Sequence, residues 1–190
     1  MDVRLADATL RLLEKTDWSR LTLAAVVRGA KVSWPETFAV APSKPALAGL
    51  VLRRIADETA RRYRRDRASQ SARERVFDVC MTWFDAQQKR KRSLHALYNG
   101  LRGNPLALLS SRNAIVGTAG IVLALAEADA GALEPAGATI LAGILARATF
   151  TWLEDDEAMS RTMAQLDRDL RRAETVLWRK QSRSKAARKK

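Results

Sequence analysis

The residue types that could carry catalysis are scarce. The chain has one histidine, His95, and one cysteine, Cys80. A nucleophile needs a base within hydrogen-bond reach, and neither residue has an obvious partner in the sequence. Cys80 falls on an apolar helix face, where a thiol behaves as a small hydrophobe. His95 reads as a helix-surface or partly buried imidazole. The acidic cluster from Glu154 to Glu157 could hold a divalent cation, but it also stands where a helix begins, and negative charge suits that end of the helix dipole. No zinc-ligand spacing is present. The expectation is a protein that is not an enzyme and carries no cofactor and no metal.

Binding chemistry is better represented. Lys and Arg number 34 against 21 Asp and Glu, a net charge of +13 over 190 residues, and the pI is about 10.8. Such an excess suits a polyanionic partner. The candidate readers are concentrated in Lys31–Leu47, KVSWPETFAVAPSKPAL. Ser33 can cap a helix and Pro35 suits its first turn. That helix lasts barely two turns before Ser43 and Pro45 open another. It carries Trp34 and Phe38 on a segment too short to bury both.

The elements around this stretch are helical, and no alternating strand pattern occurs. Val3–Lys15 is amphipathic, with Leu5, Leu10, Leu12 and Leu13 opposite Arg4, Asp7, Arg11 and Glu14. Trp18 and Leu21 follow in a short link. Thr22 caps LAAVVRGA, and the helix opened by Ser43 becomes very basic towards Arg61–Arg67. Ser71 and Glu74 form a capping-box pair. A long helix then carries Val76, Val79, Cys80 and Trp83 on one face. A shorter one carries His95, Leu97, Tyr98 and Leu101 and stops at Gly103. Asn104 and Pro105 start a long helix through Leu125. The segment from Ala138 to Leu153 is apolar nearly all round, and the last helix has Met159, Met163, Leu166, Leu170, Ala173 and Leu177 in steps of four and three. The basic tail at 181–190 reads as disordered.

Two short helices joined by a tight turn and packed on an amphipathic helix describe a helix-turn-helix, whose second helix meets base edges through its N-terminal residues. The segment Leu5–Leu52 resembles the N-terminal domain of the TetR family of bacterial transcriptional regulators. The matching residues are ADATLRLLEKTDWSRLTLAAVVRGAKVS, WPETF and PSKPAL. Length, helix count and the pattern of the last helix, WLEDDEAMSRTMAQLDRDLRRAE, extend the resemblance over nearly the whole chain.

The resemblance implies an all-α, TetR-like fold of about nine helices: an N-terminal three-helix helix-turn-helix DNA-binding domain at 1–52, a larger ligand-binding and dimerisation bundle at 53–180, and the tail. It implies that Thr22 offers a phosphate contact, that Ser33, Trp34, Glu36 and Thr37 lie at the major groove, and that Phe38 and Lys44 sit at the DNA backbone. Capping alone also accounts for Thr22 and Ser33. The family usually has glycine where Lys31 stands, so Lys31 must reach a left-handed conformation at a cost of about 1 kcal/mol. It usually has tyrosine where Phe38 stands, so a hydroxyl is missing, and Val40 and Ala41 replace aromatic positions.

In the bundle, Trp83, Phe84, Leu97, Tyr98 and Ile115 are pocket candidates or ordinary core. The last two helices can pair with their copies across a two-fold axis, or with each other. The expected function is a cytoplasmic DNA-binding transcriptional regulator, a homodimeric repressor on a palindromic operator in double-stranded DNA, released by a small apolar ligand and making no membrane contact. The longest apolar run, Ala114–Ala126, is too short to span a bilayer. The alternative is a lipid- or quinone-pathway binding protein with a vestigial helix-turn-helix. A DNA reader should keep polar, exposed residues over Ser33–Thr37; a lipid carrier should expose an apolar patch near Trp178 or enclose a large tunnel.

Overall fold

The structure, a computed structural model, describes residues 2–64, 71–128 and 134–178. The basic tail and Arg65 and Arg67 lie outside the described residues. Those described form α1 (Asp2–Leu13), α2 (Leu23–Ala30), α3 (Trp34–Val40), α4 (Lys44–Arg62), α5 (Ala72–Gln87), α6 (Lys91–Arg102), α7 (Pro105–Leu125), α8 (Glu134–Leu153) and α9 (Ser160–Leu177), with a 3-10 turn at Gln88–Arg90 before α6. The all-helical expectation holds.

Local chemistry sets most of the helix starts. Thr22 Oγ1 accepts from the Ala25 amide at 3.2 Å. The expected capping box forms at α5, Ser71–Glu74, and a second, Ser33–Glu36, forms at α3, each satisfying two amides that a helix start leaves open. Asn104 Oδ1 accepts from Ala107 N at the start of α7. At α9 the cap comes from Asp155 of the acidic cluster. Asp155 reaches forward and accepts from the Thr162 amide at 2.7 Å and its hydroxyl at 2.8 Å.

Compactness divides the chain differently from the boundary expected at residue 52. One unit holds the described residues through Glu58 together with Ala86–Ile115; the other holds Thr59–Asp85 and the described residues from Val116 onward. In the first unit α1 packs on α2 and on α6. Leu5, Leu10 and Leu13 of α1, Val26 of α2, Leu47 and Val51 of α4, and Leu94, Leu97 and Leu101 of α6 are buried. Each such side chain gains about 1.5–3 kcal/mol over exposure. A line of alternating charge runs through this unit. Arg54 meets Asp7 of α1 at 3.3 Å and Glu58 at 3.7 Å, and Glu58 meets Arg90 at 2.7 Å.

In the second unit α8 packs on α9. Phe84 and Trp152 lie with ring centroids 5.8 Å apart, and Arg73 bridges Asp167 at 2.7 Å and Glu174 at 3.5 Å. Arg75 donates to the Ala126 and Glu127 carbonyls that end α7. By length and composition, Pro105–Leu125 and Pro135–Leu153 could each cross a bilayer; one third of the first stretch and half of the second are buried.

Candidate nucleic-acid interface

The site is built on the turn between α2 and α3. Lys31 sits at φ 53°, ψ 48°, in the left-handed region. Its amide donates to Arg28 O at 3.2 Å, and the Val32 amide donates to Val27 O at 3.4 Å. This is a Schellman ending carried by lysine where glycine is usual. Two arginines of α1 hold the same turn: Arg11 donates to Gly29 O at 3.2 Å and Arg4 to Lys31 O at 3.5 Å. The exit angle of α3 is thereby tied to α1. Sequence reasoning did not find this role for Arg4 and Arg11; it placed them on the charged arc of their helix.

On α3, Thr37 is fully buried and Ala41, just beyond it, is too. Trp34 is 44% exposed and Phe38 53%. Their rings stack, with centroids 5.4 Å apart and planes at 28°. Pro35 and Ala39 are exposed beside them. The aromatic side chains of the short helix thus face solvent, while of the polar ones Ser33 is exposed, Glu36 half-buried and Thr37 buried. Thr37 donates its hydroxyl to Ser33 O at 2.9 Å. Ser33 donates its amide and hydroxyl to Glu36 Oε2, both at 2.8 Å, and accepts from the Glu36 amide at 3.4 Å. The Ser33 amide and hydroxyl hold the Glu36 carboxyl below the usual carboxylate range. Ser33, Glu36 and Thr37, expected as polar readers, are bonded within the helix and its cap.

Lys44 is half-buried. Its ammonium lies 5.0 Å from the centroid of the Trp18 ring and donates to Ser19 O at 3.2 Å. A cation over an indole face is held by the ring quadrupole, and burial pushes this ammonium down. The buried Trp18 is in turn clamped by α6. A Cβ added at Gly100 would lie 2.5 Å from Cγ and Cδ1 of the indole, and closer still to its Cβ. A groove of about 450 Å³ opens here, lined by Trp18, Arg92, His95 and Asn99 among others. Trp18 and Gly100 were missed from sequence. The available signals were a tryptophan in a polar link and a glycine inside an amphipathic helix.

The five pocket candidates fall in both compact units. Trp83 and Phe84 are buried in the second; Leu97 is buried and Tyr98 and Ile115 half-buried in the first. Burial pushes the Tyr98 phenol up. Neither the groove beside Trp18 nor a cavity of about 290 Å³ between Asp2, Val3 and the α4 residues Leu50, Arg53, Arg54 and Asp57 is lined by any of the five. Cys80 is fully buried, and burial pushes its thiol up, away from the reactive thiolate. The Trp178 indole is buried and donates to Ala128 O at 3.1 Å.

The geometry defines a helix-turn-helix carried on a larger helical protein. No family model matches the sequence, and no curated protein is similar to it by sequence. A solved structure, the TetR transcriptional regulator from Rhodococcus sp. RHA1, is similar with a TM-score of 0.60 and 15% identity over 88% of this chain and 92% of that one. The chain has a TetR-like fold.

Proposed function

We propose that the chain is a cytoplasmic, homodimeric DNA-binding transcriptional regulator, a repressor on a palindromic operator. Residues 1–52 would bind DNA and 53–180 would dimerise and take a small apolar ligand. The observation that carries this reading is α3: a short helix held by Lys31, Arg4 and Arg11 at its entrance, burying Thr37 and presenting the opposite face to solvent. Exposed Arg20, Arg28 and Lys31 lie in the same segment, whose only carboxylate is Glu36. Phosphate contacts from such cations position a duplex, and contacts in the groove discriminate among sequences. For the lipid-binding alternative, the Trp178 indole is buried while Val176 beside it is 57% exposed.

Release is a shift between two populations. The contact that would transmit it is the packing of Gly100 on Trp18 and of Trp18 on Lys44. Any movement of α6 displaces the indole, and with it the ammonium that stands ready for a phosphate.

Selection of bound duplexes from a random pool, repeated over a salt series, tests the reading. A palindromic product with a steep salt slope supports it. Binding that is salt-labile and blind to sequence reduces the chain to a basic surface and sinks the proposal.

A further inference from the structure

The exposed face of α3 is unusual for a base reader. Guanine is read mainly by Arg or Lys, and adenine by Asn or Gln, through paired hydrogen bonds. The helix WPETFAV contains none of these four. The Ser33 hydroxyl is closed within the cap, and Thr37 is buried. What remains for hydrogen bonding is the Trp34 indole N–H and Glu36 Oε1, the carboxylate oxygen that the cap does not use. Around them Trp34, Pro35, Phe38 and Ala39 form a continuous apolar face, with the two rings stacked.

One feature of the major groove matches an apolar face: the 5-methyl group of thymine. The charge around α3 points to the same occupant. Arg20, Arg28 and Lys31 are exposed in the same segment, and a polyanion satisfies them while a neutral apolar partner does not.

We propose that Trp34 and Phe38 are the specificity-determining residues of the duplex contact, and that they select thymine by its methyl group, seated against the stacked rings. The proposal rests on the regulator reading above. It adds that recognition in the groove is carried by apolar contact and not by hydrogen bonds to purines.

The full-length protein is tested on the duplex recovered by selection. Each thymine of a half-site is replaced in turn by deoxyuridine, which removes the methyl and keeps every hydrogen-bonding group. The expected result is about a fourfold loss of affinity at each contacted thymine, the loss of one buried methyl-sized group. Trp34→Ala and Phe38→Ala, exposed positions whose variants should keep wild-type helical content and melting temperature, should bind weakly and no longer distinguish dT from dU. A sequence-specific complex indifferent to dU in the wild type overturns this proposal and leaves the regulator standing. So does a complex whose dU penalty persists in both variants. A chain that enriches no sequence at all overturns both, and the aromatic face then serves another partner.

Discussion

Gly100 and Trp18 occupy one another's space so closely that no side chain fits between them: an added Cβ would meet the indole carbons at 2.5 Å. Gly100→Ala should therefore cost about 1–3 kcal/mol, the range for overpacking a filled site. Gly117 on α7 has nothing within 4 Å of the same added atom. Gly117→Ala should leave stability unchanged or raise it by up to about 1 kcal/mol, because alanine is the better helix former. Urea unfolding of both variants separates a specific clash from a general intolerance of the glycines; equal effects would refute the clash.

Lys31 should be improvable. Its left-handed cap costs a non-glycine residue about 1 kcal/mol, and Lys31→Gly should recover roughly that amount as a higher melting temperature. A drop on substitution would mean that the lysine side chain makes a contact worth more than the relieved strain.

Asp155 should link stability to acid. Burial pushes its carboxyl up, but the Thr162 amide and hydroxyl, the Arg161 guanidinium and the Asp156 amide outweigh burial and bring it to about 2, from 3.8. A folded-state value below the unfolded one gives stability that is complete above about pH 4 and is lost as pH falls towards 2. The melting-temperature gap between wild type and Asp155→Asn should be full at pH 5 to 7 and should narrow steadily below pH 4. A gap constant across that range would refute the assignment.

The dimer expected through the last two helices is testable on α8. Ile140, Gly143, Arg147 and Phe150 recur in steps of three and four, and none is fully buried. Gly143 has open space around it. Gly143→Arg should halve the mass seen in sedimentation while leaving the helical circular dichroism unchanged. A monomeric wild type, or a variant that remains dimeric, would remove this face from consideration.

Lys44→Gln should lower the slope of log affinity against log salt by about one, the signature of a lost phosphate contact. Should the slope stay the same, the ammonium belongs to Trp18 and Ser19 in the complex as well.

What could be read from sequence was what short-range chemistry decides. Ser71–Glu74, three residues apart, reads as a capping box and forms one; Ser33 reads only as a cap, and the same spacing gives it a box with Glu36. Thr22 caps as expected, and Lys31 takes the left-handed turn that the position demands. The fate of Thr37 was not legible, because a helix of seven residues is too short for periodicity to say which side turns inward. The disposal of Glu36 in its own cap was half legible: the capping box was available, yet Glu36 was also counted as a reader, and the carboxylate oxygen bound to Ser33 cannot do both. Lys44 was placed at DNA by resemblance alone, and its hold on Trp18 and Ser19 depends on long-range packing that no local pattern encodes. The pocket candidates shared apolarity and helix position, which do not specify whether side chains from different helices meet.

The chain of charges Asp7, Arg54, Glu58 and Arg90 has a consequence for how this sequence can drift. Deleting either inner member strands an outer one: without Arg54, Asp7 loses its ion pair with α4, and without Glu58, Arg90 loses its own. Neutral change at these positions must come as compensated pairs. Close relatives should show them co-varying, while the outer rim of the same helices diverges freely.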